Sequence, residues 1–132
     1  MTPAARVQAA IECLDQILAG RPAEQVLTGW ARRSRFAGSK DRAAVRDHVF
    51  EALRCRRSFA VLGGAETGRG LMLGALREAG TNPDLVFSGE GHAPASLSDA
   101  ERGAGRQPSP GAEAGDIPDW LWPQFEAAFG AD

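Results

Sequence analysis

The chain has no tyrosine, one lysine, two cysteines and two histidines in 132 residues, and each scarcity closes off a class of function. Cys13, Cys55, His48 and His92 show no CxxC or CxxxH spacing and make a poor metal set. Both cysteines fall within amphipathic helical patterns and read as small buried apolar groups. No stretch approaches the ~20 apolar residues of a membrane span. Met1-Thr2-Pro3 lacks the charged start and apolar run of a signal peptide, so a cytoplasmic, reduced protein with no membrane partner is expected. No alternating pattern of useful length suggests a strand, and no internal repeat is present.

What the chain does have is arginine in one place. Nine of its fifteen basic residues lie between Arg32 and Arg57, opposed there only by Asp41, Asp47 and Glu51. That segment carries about +6 and the remainder about −8, within a formal net charge of −2. Alanine, arginine and glycine are abundant throughout, so the choice of arginine over lysine carries little meaning by itself. The clustering does carry meaning: a weakly acidic chain with one strongly basic segment suggests a module that presents a local phosphate-binding surface.

Helix signals punctuate the chain. Thr2 caps a first helix with Pro3 at its first position, Val7, Ala10, Ile11, Leu14, Ile17 and Leu18 recur at helical spacing, and Gly20 stops the run. Pro22 opens a second helix through Val26, Leu27 and Trp30, ending in Arg32-Arg33-Ser34-Arg35 before Gly38. Ser39 is expected to cap the longest and central helix, about Lys40 to Leu62, closed by Gly63-Gly64. Its apolar face holds Ala44, Val45, His48, Val49, Ala52, Cys55 and Phe59, with Arg42, Arg46 and Arg57 sharing another side and Arg56 facing the apolar side unless the helix unwinds there. Thr67 caps a fourth helix to Gly80, Pro83–Phe87 suggests a helical turn, and Ser96 or Ser98 caps a short helix near Asp99–Arg102. Residues 103–116 read as a flexible linker, and Pro118 opens a last amphipathic helix with Trp120, Leu121, Trp122, Phe125 and Phe129. The expected fold class is all-α, with a helical domain at 1–102, a linker at 103–116 and a C-terminal helix at 117–132.

Catalysis finds little footing. His48 reads as a satisfied core histidine and His92 sits in a Gly/Pro loop without an obvious partner. Gly68-Arg69-Gly70 lacks the strand–turn–helix context and glycine spacing of a nucleotide loop, and no paired carboxylates stand apart from solvated helix surface. The expectation is that this chain is not by itself an enzyme and holds no cofactor or metal. The candidate site is Arg32, Arg33, Arg35, Lys40, Arg42, Arg46, Arg54 and Arg57. If the second and third helices form a hairpin, these residues flank one edge and can grip RNA phosphates. The competing reading is a solvated face neutralised by Asp47, Glu51 or the acidic remainder of the chain.

The run Ser-Lys-Asp-Arg-Ala-Ala-Val-Arg-Asp-His-Val-Phe-Glu-Ala-Leu-Arg-Cys-Arg-Arg at 39–57 resembles a helix of NusB-like domains. Leu71–Leu76, Phe87-Ser88-Gly89, Leu97–Glu101 and then Pro118-Asp119-Trp120-Leu121-Trp122 with Phe125 and Phe129-Gly130 follow in order. Together they resemble the N-terminal NusB-like domain of RsmB/Sun-type rRNA cytosine-5 methyltransferases. That resemblance covers nearly the whole chain and implies a NusB-like helical bundle, a flexible linker and a lead-in helix to a methyltransferase domain beyond residue 132. S-adenosylmethionine and the catalytic cysteines would belong to that domain; neither Cys13 nor Cys55 matches their motifs. The partners implied are ribosomal RNA, the enzyme's own catalytic domain and a ribosomal protein. A free-standing NusB-type antitermination factor and a protein-docking module, the latter using Trp120, Trp122, Phe125 and Phe129, are the alternatives.

Overall fold

The Thr2 hydroxyl accepts a hydrogen bond from the Ala5 N–H at 3.1 Å, so the first helix starts where one of its orphan donors is satisfied. This is α1, Pro3–Leu18, in a computed structural model that describes residues 1–109. Among the described residues the regular elements are all helical: α2 (Ala23–Arg33), α3 (Ser39–Arg54), α4 (Arg56–Gly63), α5 (Gly68–Glu78), a 3-10 turn at Pro83–Leu85 and α6 (Asp99–Gly103). None is long and apolar enough to cross a membrane. The expected helix after Pro118 and the linker beyond residue 109 lie outside the described residues.

The long helix expected from Lys40 to Leu62 is two helices. Cys55, with φ −104° and ψ 27°, breaks it, and α4 departs in a new direction. Its start also differs: Gly38 is the N-cap, and the Asp41 carboxylate accepts from the Gly38 N–H at 3.0 Å. Arg56 is thereby carried off the apolar side to the surface, where it pairs with Glu66 at 2.5 Å. The physical reason for the break lies in α5. A Cβ on Gly74 would fall 2.0 Å from the Phe59 carbonyl oxygen, and one on Gly63 only 1.8 Å from that of Gly70. These pairs mark α4 and α5 as an antiparallel hairpin with its backbones almost touching, a geometry that a straight extension of α3 could not reach. Gly64, at φ +85°, turns the chain between them.

The α3 helix shares the middle of the fold with two others: α1 packs against α2, α3 and α5, and α5 packs against α1, α3, α4 and the 3-10 turn. Ala10 and Leu14 of α1 are wholly buried, against Val45, Val49 and Ala52 of α3 and Leu71, Met72 and Leu73 of α5. Each large apolar side chain so buried contributes about 1.5–3 kcal/mol. A bond from the Gly68 N–H to Asp15 Oδ1, 2.8 Å, fixes the start of α5 against α1.

The C-terminal part is held by arginines. Ser98 and Glu101 form a capping box at α6, with bonds of 3.1 and 2.9 Å. Arg77 donates to the carbonyls of Leu62 (2.7 Å), Ala104 (2.9 Å) and Glu101 (2.9 Å), and so satisfies C-terminal acceptors of α4 and α6 together. Arg69 lies 4.8 Å above the buried ring of Phe87 and pairs with Glu101 at 2.6 Å.

Candidate nucleic-acid interface

The end of α2 is basic because Arg32 and Arg33 occupy its last turn, where positive charge opposes the negative end of the helix dipole. A short turn follows. Ser34 is buried, Arg35 and Phe36 project into solvent, Ala37 returns to the core, and Lys40 is the second residue of α3. Arg32, Arg33, Arg35 and Lys40 are exposed and meet no carboxylate among the described residues. These four cations, within nine positions, form the part of the basic segment that no described carboxylate neutralises.

The other four predicted residues are placed differently. Arg46 forms a two-pronged pair with Glu24 of α2, at 3.1 and 2.5 Å, and its guanidinium lies 4.8 Å over the Phe50 ring. The Glu24 hydrogen bond holds the Arg46 pKa above its ordinary value, and the same bond lowers that of Glu24. Arg42 donates to the Ala37 carbonyl at 3.2 Å and, with Arg46, borders a small groove of about 230 Å³ against Leu27, Trp30 and Ala31 of α2. Arg54 is exposed but stands roughly 18 Å along the axis from Arg42. Arg57 is half-buried and engaged, and it lies on α4 beyond the break. The side expected to unite Arg42, Arg46 and Arg57 therefore does not exist, since it assumed one continuous helix.

Counter-charges are also redistributed. Asp41, counted from sequence against the basic segment, is bound instead by Arg6 of α1 at 2.8 Å and lies 3.6 Å from the Met1 amino group. The Arg6 hydrogen bond, helped by the Gly38 N–H, lowers the Asp41 pKa. Asp41 therefore does not neutralise the turn beside it.

A groove opens next to the free arginines. It encloses about 750 Å³ between α1, the Trp30–Phe36 segment and the loop at Glu90–Ala95, a size in the range of small-ligand pockets. One wall carries Gln8 and Glu12, joined by a hydrogen bond of 3.3 Å; Arg33 and Trp30 lie on another. Phe36 is 70% exposed, and its ring lies nearly parallel to that of His92, with an interplanar angle of 15° and centroids 6.4 Å apart. His92, read from sequence as having no obvious partner, therefore has an aromatic one. Sequence reasoning missed this groove, although an aromatic directly after Arg-Arg-Ser-Arg is the interleaving of charge and ring that nucleic-acid surfaces use.

The remaining reactive groups stay structural. Cys13 is buried, and its thiol is pushed up to about 11 by that burial and then by Glu12, against the opposing pull of Arg33. Cys55 is half-buried at the helix break rather than within a helix. His48 is half-buried on α3, and burial lowers its pKa, favouring the neutral imidazole. No group of three or more metal-ligating side chains exists among the described residues. Comparison with protein-family models, with curated proteins and with solved structures returned no match.

Proposed function

We propose that this chain is an RNA-binding accessory domain of the NusB-like type, belonging to the machinery of an RsmB/Sun-type rRNA cytosine-5 methyltransferase. Its task is to dock a separate, S-adenosylmethionine-dependent catalytic domain on ribosomal RNA. The observation that carries the RNA-binding part is the cluster of Arg32, Arg33, Arg35 and Lys40, exposed around one interhelical turn and without carboxylate partners among the described residues. Guanidinium groups left free in this way can each grip a phosphate in two-pronged fashion, supplying affinity and orientation while base choice rests mainly elsewhere. The family part rests on the ordered resemblance of residues 39–57, 71–76, 87–89, 97–101 and 118–122 with Phe125 and Phe129-Gly130.

In this reading Arg42 and Arg46 serve chiefly to join α3 to the preceding turn and to α2, because their donors are already used within the fold. The test is a salt series of single-stranded RNA binding by the full chain and by the Arg32→Ala/Arg33→Ala/Arg35→Ala variant. Three lost phosphate contacts should flatten the slope of log affinity against log salt by about 2 and weaken binding at low salt. An unchanged slope and affinity in the triple variant would remove this surface from the proposal.

A further inference from the structure

The exposed Phe36 ring and the groove behind it are not needed by the phosphate contacts just described. A phenylalanine left 70% in water, at a turn whose neighbours Ser34 and Ala37 are both buried, contributes little to the core. It does present a flat apolar face, nearly parallel to His92, at the mouth of a cavity of about 750 Å³. The chemistry around that mouth is divided by charge. Arg33 lines the groove and Arg32 and Arg35 adjoin it in the chain, whereas Glu12 and Glu90 form parts of its lining. An acidic peptide would satisfy the arginines but bring its carboxylates toward Glu12 and Glu90. A nucleotide separates the same features correctly, with its phosphate outside and a neutral base inside.

We propose that this groove receives one unstacked base of a single-stranded RNA, with Phe36 as its stacking platform and the Gln8–Glu12 wall as the reader of its edge. The proposal rests on the RNA-binding reading above and deepens it by naming what the surface takes besides phosphate. Every nucleobase has a π-face for Phe36, so stacking supplies affinity without choosing a sequence. Choice comes from the acceptors. Glu12 receives one hydrogen bond through Oε1 from Gln8 Nε2, leaving its second carboxylate oxygen and the Gln8 carbonyl oxygen to accept from a ligand. Such a wall favours bases with an exocyclic amino group over uracil, as a carboxylate accepting from the cytosine amino group does in groove readout.

The experiment measures anisotropy of the full chain with short oligo(C), oligo(A) and oligo(U) strands and with an abasic strand of equal length and equal phosphate count. The wild-type chain should bind the amino-bearing strands more tightly than the abasic one, by roughly 5- to 150-fold if one base stacks. Phe36→Ala should abolish that difference while leaving the salt slope intact, and Phe36→Trp, which retains a ring, should restore it. Glu12→Gln should narrow the gap between oligo(C) and oligo(U) without changing the slope. Because Phe36 and Glu12 are exposed, circular dichroism of these variants should match the parent. Equal binding of abasic and base-bearing strands with a steep salt dependence would overturn the base pocket and leave the phosphate surface standing. No binding of any strand at low salt would overturn both.

Discussion

Replacing Glu101 by glutamine removes one negative charge while keeping a side-chain oxygen for the α6 capping box. In the native fold Arg69 donates to Glu101 through Nε at 2.6 Å and Nη2 at 3.0 Å, and the Ser98 N–H adds a bond of 2.9 Å. The Arg69 hydrogen bond is the largest influence, opposed by desolvation and aided by Ser98, and the carboxyl falls to about 2 from an ordinary value of 4.5. That gap converts to about 3 kcal/mol of stability at neutral pH, and solvent screening of a carboxylate still 29% exposed reduces it to roughly 1–2 kcal/mol. Because the folded value is the lower one, the unfolded chain takes up the proton first as pH falls. The contribution is complete above 4.5 and is lost as pH drops through about 2. Urea unfolding followed by circular dichroism should show Glu101→Gln less stable by roughly 1–2 kcal/mol at about pH 7, with a Tm lower by roughly 5–10 °C. Less than half of that difference should remain near pH 3. A difference that stays constant down to this pH would mean that the lost interaction is not electrostatic. No difference at neutral pH would mean that the Arg69 pair does not stabilise the fold.

Two further outcomes follow from the close packing around α1, α4 and α5. Gly74→Ala places a methyl 2.0 Å from the Phe59 carbonyl oxygen, a backbone atom that cannot rotate away, so it should cost about 3 kcal/mol or more in urea unfolding. Gly80→Ala has open space but a φ of +72° and should cost only about 1 kcal/mol; equal effects at the two sites would contradict the hairpin contact. A thiol reagent at about pH 8 should label half-buried Cys55 first and reach Cys13, 1% exposed with its pKa near 11, only on unfolding. Rapid modification of both thiols, resolved by peptide mapping, would refute the burial of Cys13.

The helix starts and most of the stops were legible because their signals are local. Thr2, Thr67 and Ser98 accept from N–H groups three residues ahead, and the sequence alone places a hydroxyl ahead of each helix. The apolar periodicity of α2 likewise matches its buried face, and that of α1 does so through Val7, Ala10, Ile11 and Leu14, with Ile17 and Leu18 only half-buried. The break at Cys55 had only one local hint, Arg56 on the apolar side of a continuous helix, because no proline or glycine marks it. It is made by packing, since α4 must turn to meet Gly70 and Gly74 of α5.

The same division runs through the candidate site. Composition and order determined that the described residues are helical and that the chain's positive charge is concentrated between Arg32 and Arg57. Which of those charges are free was decided only in three dimensions. Glu24 lies twenty-two positions from Arg46, and Arg6 thirty-five from Asp41, yet each pair closes to hydrogen-bond distance. The groove is drawn from three segments that the chain order keeps apart, and Phe36 meets His92 across its mouth. Capping and amphipathic burial act within a few residues, so a linear reading can find them. Charge pairing and cavity shape depend on distance through space, and the chain acquires those distances only when α1 and α5 bring the other helices together.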